Sequence, residues 1–130
     1  MFVVKTKLGF SKIHGIGVFA EEFIHRGSVV QVYDTMLDKA YPKSMVRHAN
    51  PLFQEFIKQY AYLDGDVYIL LLGDNARFLN HSLYPNLVGF VGDNRTDMAH
   101  RDIDIGEELT VNYYEFDDEA VLKLGAFSSG

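Results

Sequence analysis

The first ten residues, MFVVKTKLGF, alternate apolar and polar side chains, the period of two that a half-buried strand requires. Two more short β-like stretches follow, GIGVFA at 15–20 and GSVVQVYD at 27–34, each opened by a glycine. Between 44 and 63 the pattern changes. SMVRHANPLFQEFIKQYAYL carries Met45, Phe53, Phe56, Ile57 and Tyr60 at spacings that suit short helices, and Pro51 stands where a second helix would begin. DVYILLLG, at 66–73, is a continuous apolar run of buried-strand length. NLVGFVG and DMAHRDI predict another strand pair with a turn at Asp93-Asn94. GEELTVNYYEF opens on a turn glycine, Gly106, and continues as a strand. The last stretch, DDEAVLKLGAFSSG, predicts a short helix or loop.

Many short strands separated by turns predict a mainly β, barrel-like fold with one helical insertion at about 35–62. A length of 130 residues suits a single domain with a real core. No apolar run reaches the length of a membrane span and no signal-peptide pattern opens the chain, so no membrane partner and an intracellular, cytoplasmic location are expected. The absence of cysteine excludes disulfides and thiolate zinc sites. The five histidines show no metal-ligand spacing, and no metal is expected. A formal charge of −6 argues against direct nucleic-acid binding and suits a basic partner.

Three segments have the residues for chemistry. In HGIGVFA, Gly15 and Gly17 flank Ile16, so the backbone there can take positive φ and a ligand can approach closely; a plain β-turn explains the same residues. In RFLNHSLYPN, Asn80 and His81 place an amide beside an imidazole, able to hydrogen-bond an amino group, a carboxylate or a base edge. A turn with an Asn cap and a buried histidine is the plain alternative. A nucleophilic Ser82 is disfavoured, because strand neighbours face opposite ways and no G-x-S-x-G surrounds it. In DIDIGEELTVNYYEF, Glu107-Glu108 bracket the start of a strand, and Tyr113-Tyr114 follow its end. They are either half-buried packing or a hydroxyl that orients a substrate.

Taken in order, GIGVFA, RFLNHSLYPN and I-x-x-G-E-E-L-T-V-N-Y resemble the SET domain of protein lysine methyltransferases, over about residues 8–116. The resemblance implies a β-clip fold of several small sheets with a threaded C-terminal segment, a pseudoknot, and places the NHS segment at the crossing beside the cofactor. It implies a SET domain at 1–116 and a short tail at 117–130. The implied methyl donor is S-adenosylmethionine. Gly15, Ile16 and Gly17 would offer it backbone contacts, Asn80 and His81 would hold its amino-acid and adenine parts, and Arg77 would support that segment. Tyr113 aligns with the family's catalytic tyrosine and would also adjoin the donor. Tyr33 matches more loosely, and Glu108 and Asn112 look structural. The implied reaction is in-line attack of a substrate lysine ε-amine on the donor's methyl carbon, the substrate being a basic protein or peptide such as a histone.

The chain departs from the family pattern in three places. Leu83 stands where cysteine is frequent, the cysteine-rich zinc tail that often closes the lysine channel is missing, and Val111 replaces an aromatic residue that affects how many methyl groups are added. Closure would then come from Tyr114, Phe116 or Phe127, or from a partner chain, so a homodimer is one expectation. The compact form resembles stand-alone bacterial and viral SET proteins, for which a host nucleus is the alternative location. The competing functional reading is a SET-like binding module that keeps the fold and transfers nothing.

Overall fold

The computed structural model describes residues 1–71, 74–90 and 93–124. Its strands and helices run in the order β1 (Thr6–Phe10), β2 (Ile16–Ala20), β3 (Val29–Val32), β4 (Lys39–Pro42), α1 (Lys43–Arg47), α2 (Pro51–Tyr60), β5 (Ala61–Asp64) and β6 (Val67–Leu70). There follow β7 (Asn80–His81), β8 (Leu87–Phe90), β9 (Asp93–Ala99), β10 (Glu108–Val111) and α3 (Ala120–Leu124), with single 3-10 turns at Ala76–Phe78 and Tyr113–Glu115.

The strands do not close into a barrel. They form three small sheets, ordered β1-β2-β10-β7, β3-β9-β8 and β4-β6-β5. Strands of two to seven residues are too short for one closed wall, and the turns that punctuate them redirect the chain into separate layers. The predicted first strand also shifts. Phe2 makes one isolated bridge to Gln31 and buries its ring, while the regular strand begins at Thr6 and leaves Phe10 90% exposed at the sheet edge. The turn expected at Asp93-Asn94 is not there, because both residues already belong to β9.

The insertion is helical only at its centre. β4 and β5 flank β6 on its two sides, in register from Lys39↔Leu70 and Ala61↔Leu70, and α1 and α2 lie between them in sequence. Asn50 caps α2 by accepting the Leu52 N–H at 2.8 Å, and Pro51 takes the first helical position, where its missing N–H costs nothing. Ile57 is fully buried in a small core with Val46, Leu63 and Tyr68, and Phe53 and Tyr60 pack against that core. The larger core joins the other two sheets through Val18, Val30, Leu87, Ile103 and Leu109. Val18 and Leu109 are register partners and both are fully buried. Each such aliphatic side chain contributes about 1.5–3 kcal/mol, so β10 is held beside β2 by packing as well as by its ladder.

Candidate active site

β10 is the element around which the site is built. On one side it pairs antiparallel with β2; on the other it pairs parallel with β7, Thr110 opposite Asn80 and Val111 opposite His81. That is the one parallel pairing among the described residues. It brings together segments some thirty residues apart, and the Ser82 N–H extends it by donating to Val111 O at 2.9 Å. Asn86 adds a side-chain rung. Its Oδ1 accepts the Thr110 N–H at 2.9 Å and its Nδ2 donates to Glu108 O at 2.8 Å.

Asn80 and His81, 7% and 5% exposed, then serve different partners. Asn80 Nδ2 donates toward Glu108 Oε2 (2.9 Å), His14 O (3.0 Å) and Ile16 O (3.2 Å), which ties the loop before β2 to β10. Ser11 braces the same loop: its hydroxyl donates to the Glu108 carboxylate at 2.8 Å and accepts the Ile13 and His14 N–H groups. Gly15 takes φ +47° and its carbonyl accepts the Ser11 N–H at 2.8 Å. Gly17 is glycine for packing reasons, since a Cβ there would sit 2.8 Å from the Glu108 carboxyl carbon.

His81 Nδ1 accepts the Tyr113 N–H at 3.1 Å. The neutral imidazole therefore carries its proton on Nε2. Burial lowers the His81 pKa from its ordinary 6.5 and keeps the ring neutral. Nε2 is buried and has no hydrogen-bond partner among the described residues. Such a donor costs about 1–3 kcal/mol until an acceptor reaches it.

Tyr113 leaves β10 at the start of the 3-10 turn, and its hydroxyl donates to Leu79 O at 2.6 Å. Burial, reinforced by the nearby charge of Asp117, pushes its pKa up to about 12. The phenol is thus a neutral group at physiological pH, with its proton committed and its oxygen lone pairs open to a donor.

Two cavities meet at this residue. A wide cleft of about 910 Å³ is bordered by His14, Ile16, Arg77, Asn80, His81 and Tyr113. A narrow one of about 70 Å³ is lined by Tyr62, Val111, Tyr113, Phe116, Asp117 and Lys123. Leu79, Arg77 and Tyr113 border both. Arg77 donates to Asp74 O at 3.1 Å and lays its guanidinium 4.6 Å above the Phe78 ring.

The structure thus brings Ile16, Arg77, Asn80, His81 and Tyr113 around one cleft, while Gly15 and Gly17 shape the loop without bordering it. Tyr33 borders neither cavity. Ser82 Oγ accepts the Tyr84 N–H at 3.0 Å, a turn contact with no nucleophile geometry. Of the three proposed closing rings, Phe116 lines the narrow cavity, Tyr114 meets His81 edge to face with centroids 5.3 Å apart, and Phe127 lies outside the described residues. The acidic run 117–119 precedes α3 and points its carboxylates at neighbouring backbone and side chains. Asp117 Oδ1 accepts the Leu63 N–H, Asp118 Oδ2 accepts the Gly65 N–H and Glu119 Oε2 accepts the Tyr68 hydroxyl, so the run docks the tail on the β5–β6 hairpin. Asn86, Ser11 and Asp117 are the site residues that the sequence reading missed; Pro85 next to Asn86, and the polar side chains at Ser11 and Asp117, signalled only turns and surface.

Comparison with known proteins agrees with this geometry. The SET domain family model matches residues 15–114. The histone-lysine N-methyltransferase, H3 lysine-4 specific, of Schizosaccharomyces pombe is 33% identical over 120 residues, covering 86% of this chain and 13% of that protein. Among solved structures, a humanized mutant of the Chaetomium thermophilum Polycomb Repressive Complex 2 bound to an inhibitor superposes with a TM-score of 0.67 at 21% identity, over 92% of this chain and 16% of the other. A ctPRC2 structure bound to S-adenosylmethionine gives 0.67 at 23% identity, over 93% and 16%. The chain therefore spans less than a fifth of the length of each of these relatives. The family match runs from the glycine loop through NHS to the tyrosine pair after β10 and so spans most of the chain: the chain belongs to the SET domain family.

Proposed function

We propose that this domain is an S-adenosylmethionine-dependent protein lysine N-methyltransferase acting on a basic protein of the histone class. The observation that carries the reading is that a wide cleft and a narrow, aromatic-walled cavity share Tyr113 as a wall. A transfer from a small-molecule donor to a protein side chain is served by such a shared wall, with each reactant held on its own side.

The residues present fit the donor. The wide cleft has the volume of a small-molecule site, roughly 300–1,000 Å³, and the orphaned Nε2–H of His81 would find an acceptor on a bound ligand. Asn80 holds the His14–Ile16 loop in place as the wall of that cleft, and Ile16, Arg77 and His81 would contact the bound molecule. S-adenosylmethionine supplies a methyl group on a sulfonium, whose positive charge disfavours a protonated amine nearby. The chain does the rest. Val111, Leu79 and Phe116 strip water from an entering lysine side chain and so lower its pKa from about 10.4. Tyr113, its own proton given to Leu79 O, accepts an N–H of the amine and aims the nitrogen lone pair toward the wide cleft. Most of the rate would come from this positioning.

Transfer of labelled methyl from S-adenosylmethionine to core histones and a mixed lysate tests the reading, with Tyr113→Phe as the comparison. Label on lysine in the wild type and its loss in the variant support it; a folded wild type that neither transfers label nor binds the donor in calorimetry overturns it. One observation favours the second reading, a SET-like binding module. Lys123, paired with Asp117, already lines the narrow cavity.

A further inference from the structure

The cation in the narrow cavity comes from the chain's own tail. α3 follows Asp117, and its Lys123 turns back so that Nζ lies 2.5 Å from Asp117 Oδ2 and also donates to Ala61 O. The Lys123 side chain is 19% exposed and that of Asp117 only 2%. Both line the cavity together with Tyr113, Phe116 and Val111, and Lys123 also borders the wide cleft. A lysine side chain therefore rests where, on the methyltransferase reading, a lysine side chain is received.

The chemistry of Asp117 makes this more than a coincidence of packing. Its Oδ1 accepts the Leu63 and Glu119 N–H groups, both at 3.0 Å, so the carboxylate is fixed by β5 and by the chain leading into α3. Oδ2 is the atom left for a cation. A carboxylate this deeply buried is costly without one, so the position calls for an ammonium whether or not α3 supplies it. The segment that supplies it is lightly held. α3 has five residues, well short of what sustains a helix alone; Ala120 is buried and Val121 is exposed. The anchors of the tail, Asp117 to Glu119, lie before the helix and would stay in place if it swung out.

We propose that Lys123 is an internal stand-in for the substrate. Its ammonium occupies the place beside Asp117 that an incoming lysine ammonium takes, and α3 must release it before a substrate can enter. Only the identity of the incoming group rests on the proposed function; the occupied carboxylate stands on its own. Held against Asp117 and Ala61 O, Lys123 blocks the cavity; a substrate lysine received at the same carboxylate must leave it before its amine meets Tyr113. The measured affinity for any competing amine is then the intrinsic affinity reduced by the fraction of molecules with α3 released.

n-Butylammonium, a lysine side chain without its backbone, is a probe that needs no methyl transfer. Its binding to the full chain is followed through the aromatic NMR signals of Tyr113 and Phe116. Lys123→Met keeps the apolar stem and removes the charge, and should tighten binding at least about tenfold, the gain vanishing when Asp117→Asn is added. Equal or weaker binding by a folded Lys123→Met overturns the proposal. Should that variant not fold, the wild type decides. Saturating n-butylammonium should speed hydrogen exchange at the α3 amides, and unchanged exchange overturns the proposal. Because neither readout involves the methyl donor, a protein that neither transfers methyl nor binds the donor would sink the enzyme reading and leave this one intact.

Discussion

Removing the Asn80 amide should loosen the whole domain. Asn80 Nδ2 has two protons for three acceptors within 3.2 Å, one of them the Glu108 carboxylate. A hydrogen bond to a charged group contributes about 1.5–3 kcal/mol and one to a neutral carbonyl about 0.5–1.5. Glu108 is only half-buried and keeps Ser11 as a partner, which discounts the first figure. Asn80→Ala should therefore cost about 2–4 kcal/mol. At roughly 3–5 °C per kcal/mol for a domain of this size, the melting temperature falls by about 6–20 °C. Asn80→Asp should be worse, since it sets a second carboxylate against Glu108 and two carbonyls. In a Glu108→Gln background the cost of Asn80→Ala should shrink by about 1 kcal/mol or more, the mark of a direct pair. Urea unfolding of the wild type, the three single variants and the double variant measures all of this. A loss below about 0.5 kcal/mol, or an Asn80→Asp variant as stable as the wild type, would refute the reasoning.

Five other outcomes are expected. Gly17→Ala should cost about 1–3 kcal/mol by urea unfolding, because its methyl group meets the Glu108 carboxyl in a packed site. Tyr113→Phe loses the bond to Leu79 O and should lower the melting temperature by about 2–7 °C, leaving the protein folded, while methyl transfer falls about 100-fold or more. Val111→Phe narrows the cavity beside Tyr113, and mass spectrometry of the product should show fewer methyl groups per lysine. The folded His81 pKa lies below its ordinary value, so the unfolded chain takes up protons first as pH falls through 6.5; stability should fall there, and less so in His81→Asn. At the alkaline end Tyr68 and Tyr113 hold their protons up to about pH 12, so stability is full below pH 10 and is lost as pH rises from 10 to 12, which denaturant midpoints across that range report.

The parts of the site legible in the sequence are those where a local rule is broken in a short span. Glycines around Ile16, a polar pair after Phe78-Leu79, and a turn glycine before Glu107-Glu108 each interrupt an apolar pattern, and all three lie at the site. Hidden were the residues whose partners are distant. Asn86 reads as a turn residue next to Pro85 until β10 is laid beside it. Asp117 reads as surface charge until β5 presents the Leu63 N–H to it. The strands of the insertion were hidden for a different reason. β4 is a mostly exposed edge strand ending in Pro42, and the buried Ala61-Tyr62-Leu63 run continues the apolar face of α2 without a break. The barrel expectation failed because strand count is local information and sheet closure is not.

The bonds that make the site also set when it can exist. Ser11 and Glu108 are 97 residues apart, and Asn80 joins Glu108 to the His14 carbonyl three residues beyond Ser11. The insertion, by contrast, is built from neighbours: β5 and β6 join through the turn at Gly65. A chain emerging from the ribosome can assemble that outlying hairpin and its helices while the glycine loop still waits for Glu108. Until β10 arrives, the unpaired β2 edge and the apolar residues of the larger core stay open to chaperones or to aggregation. The site should therefore appear in a single late step, and a fragment ending before Glu108 should keep some helix while binding nothing.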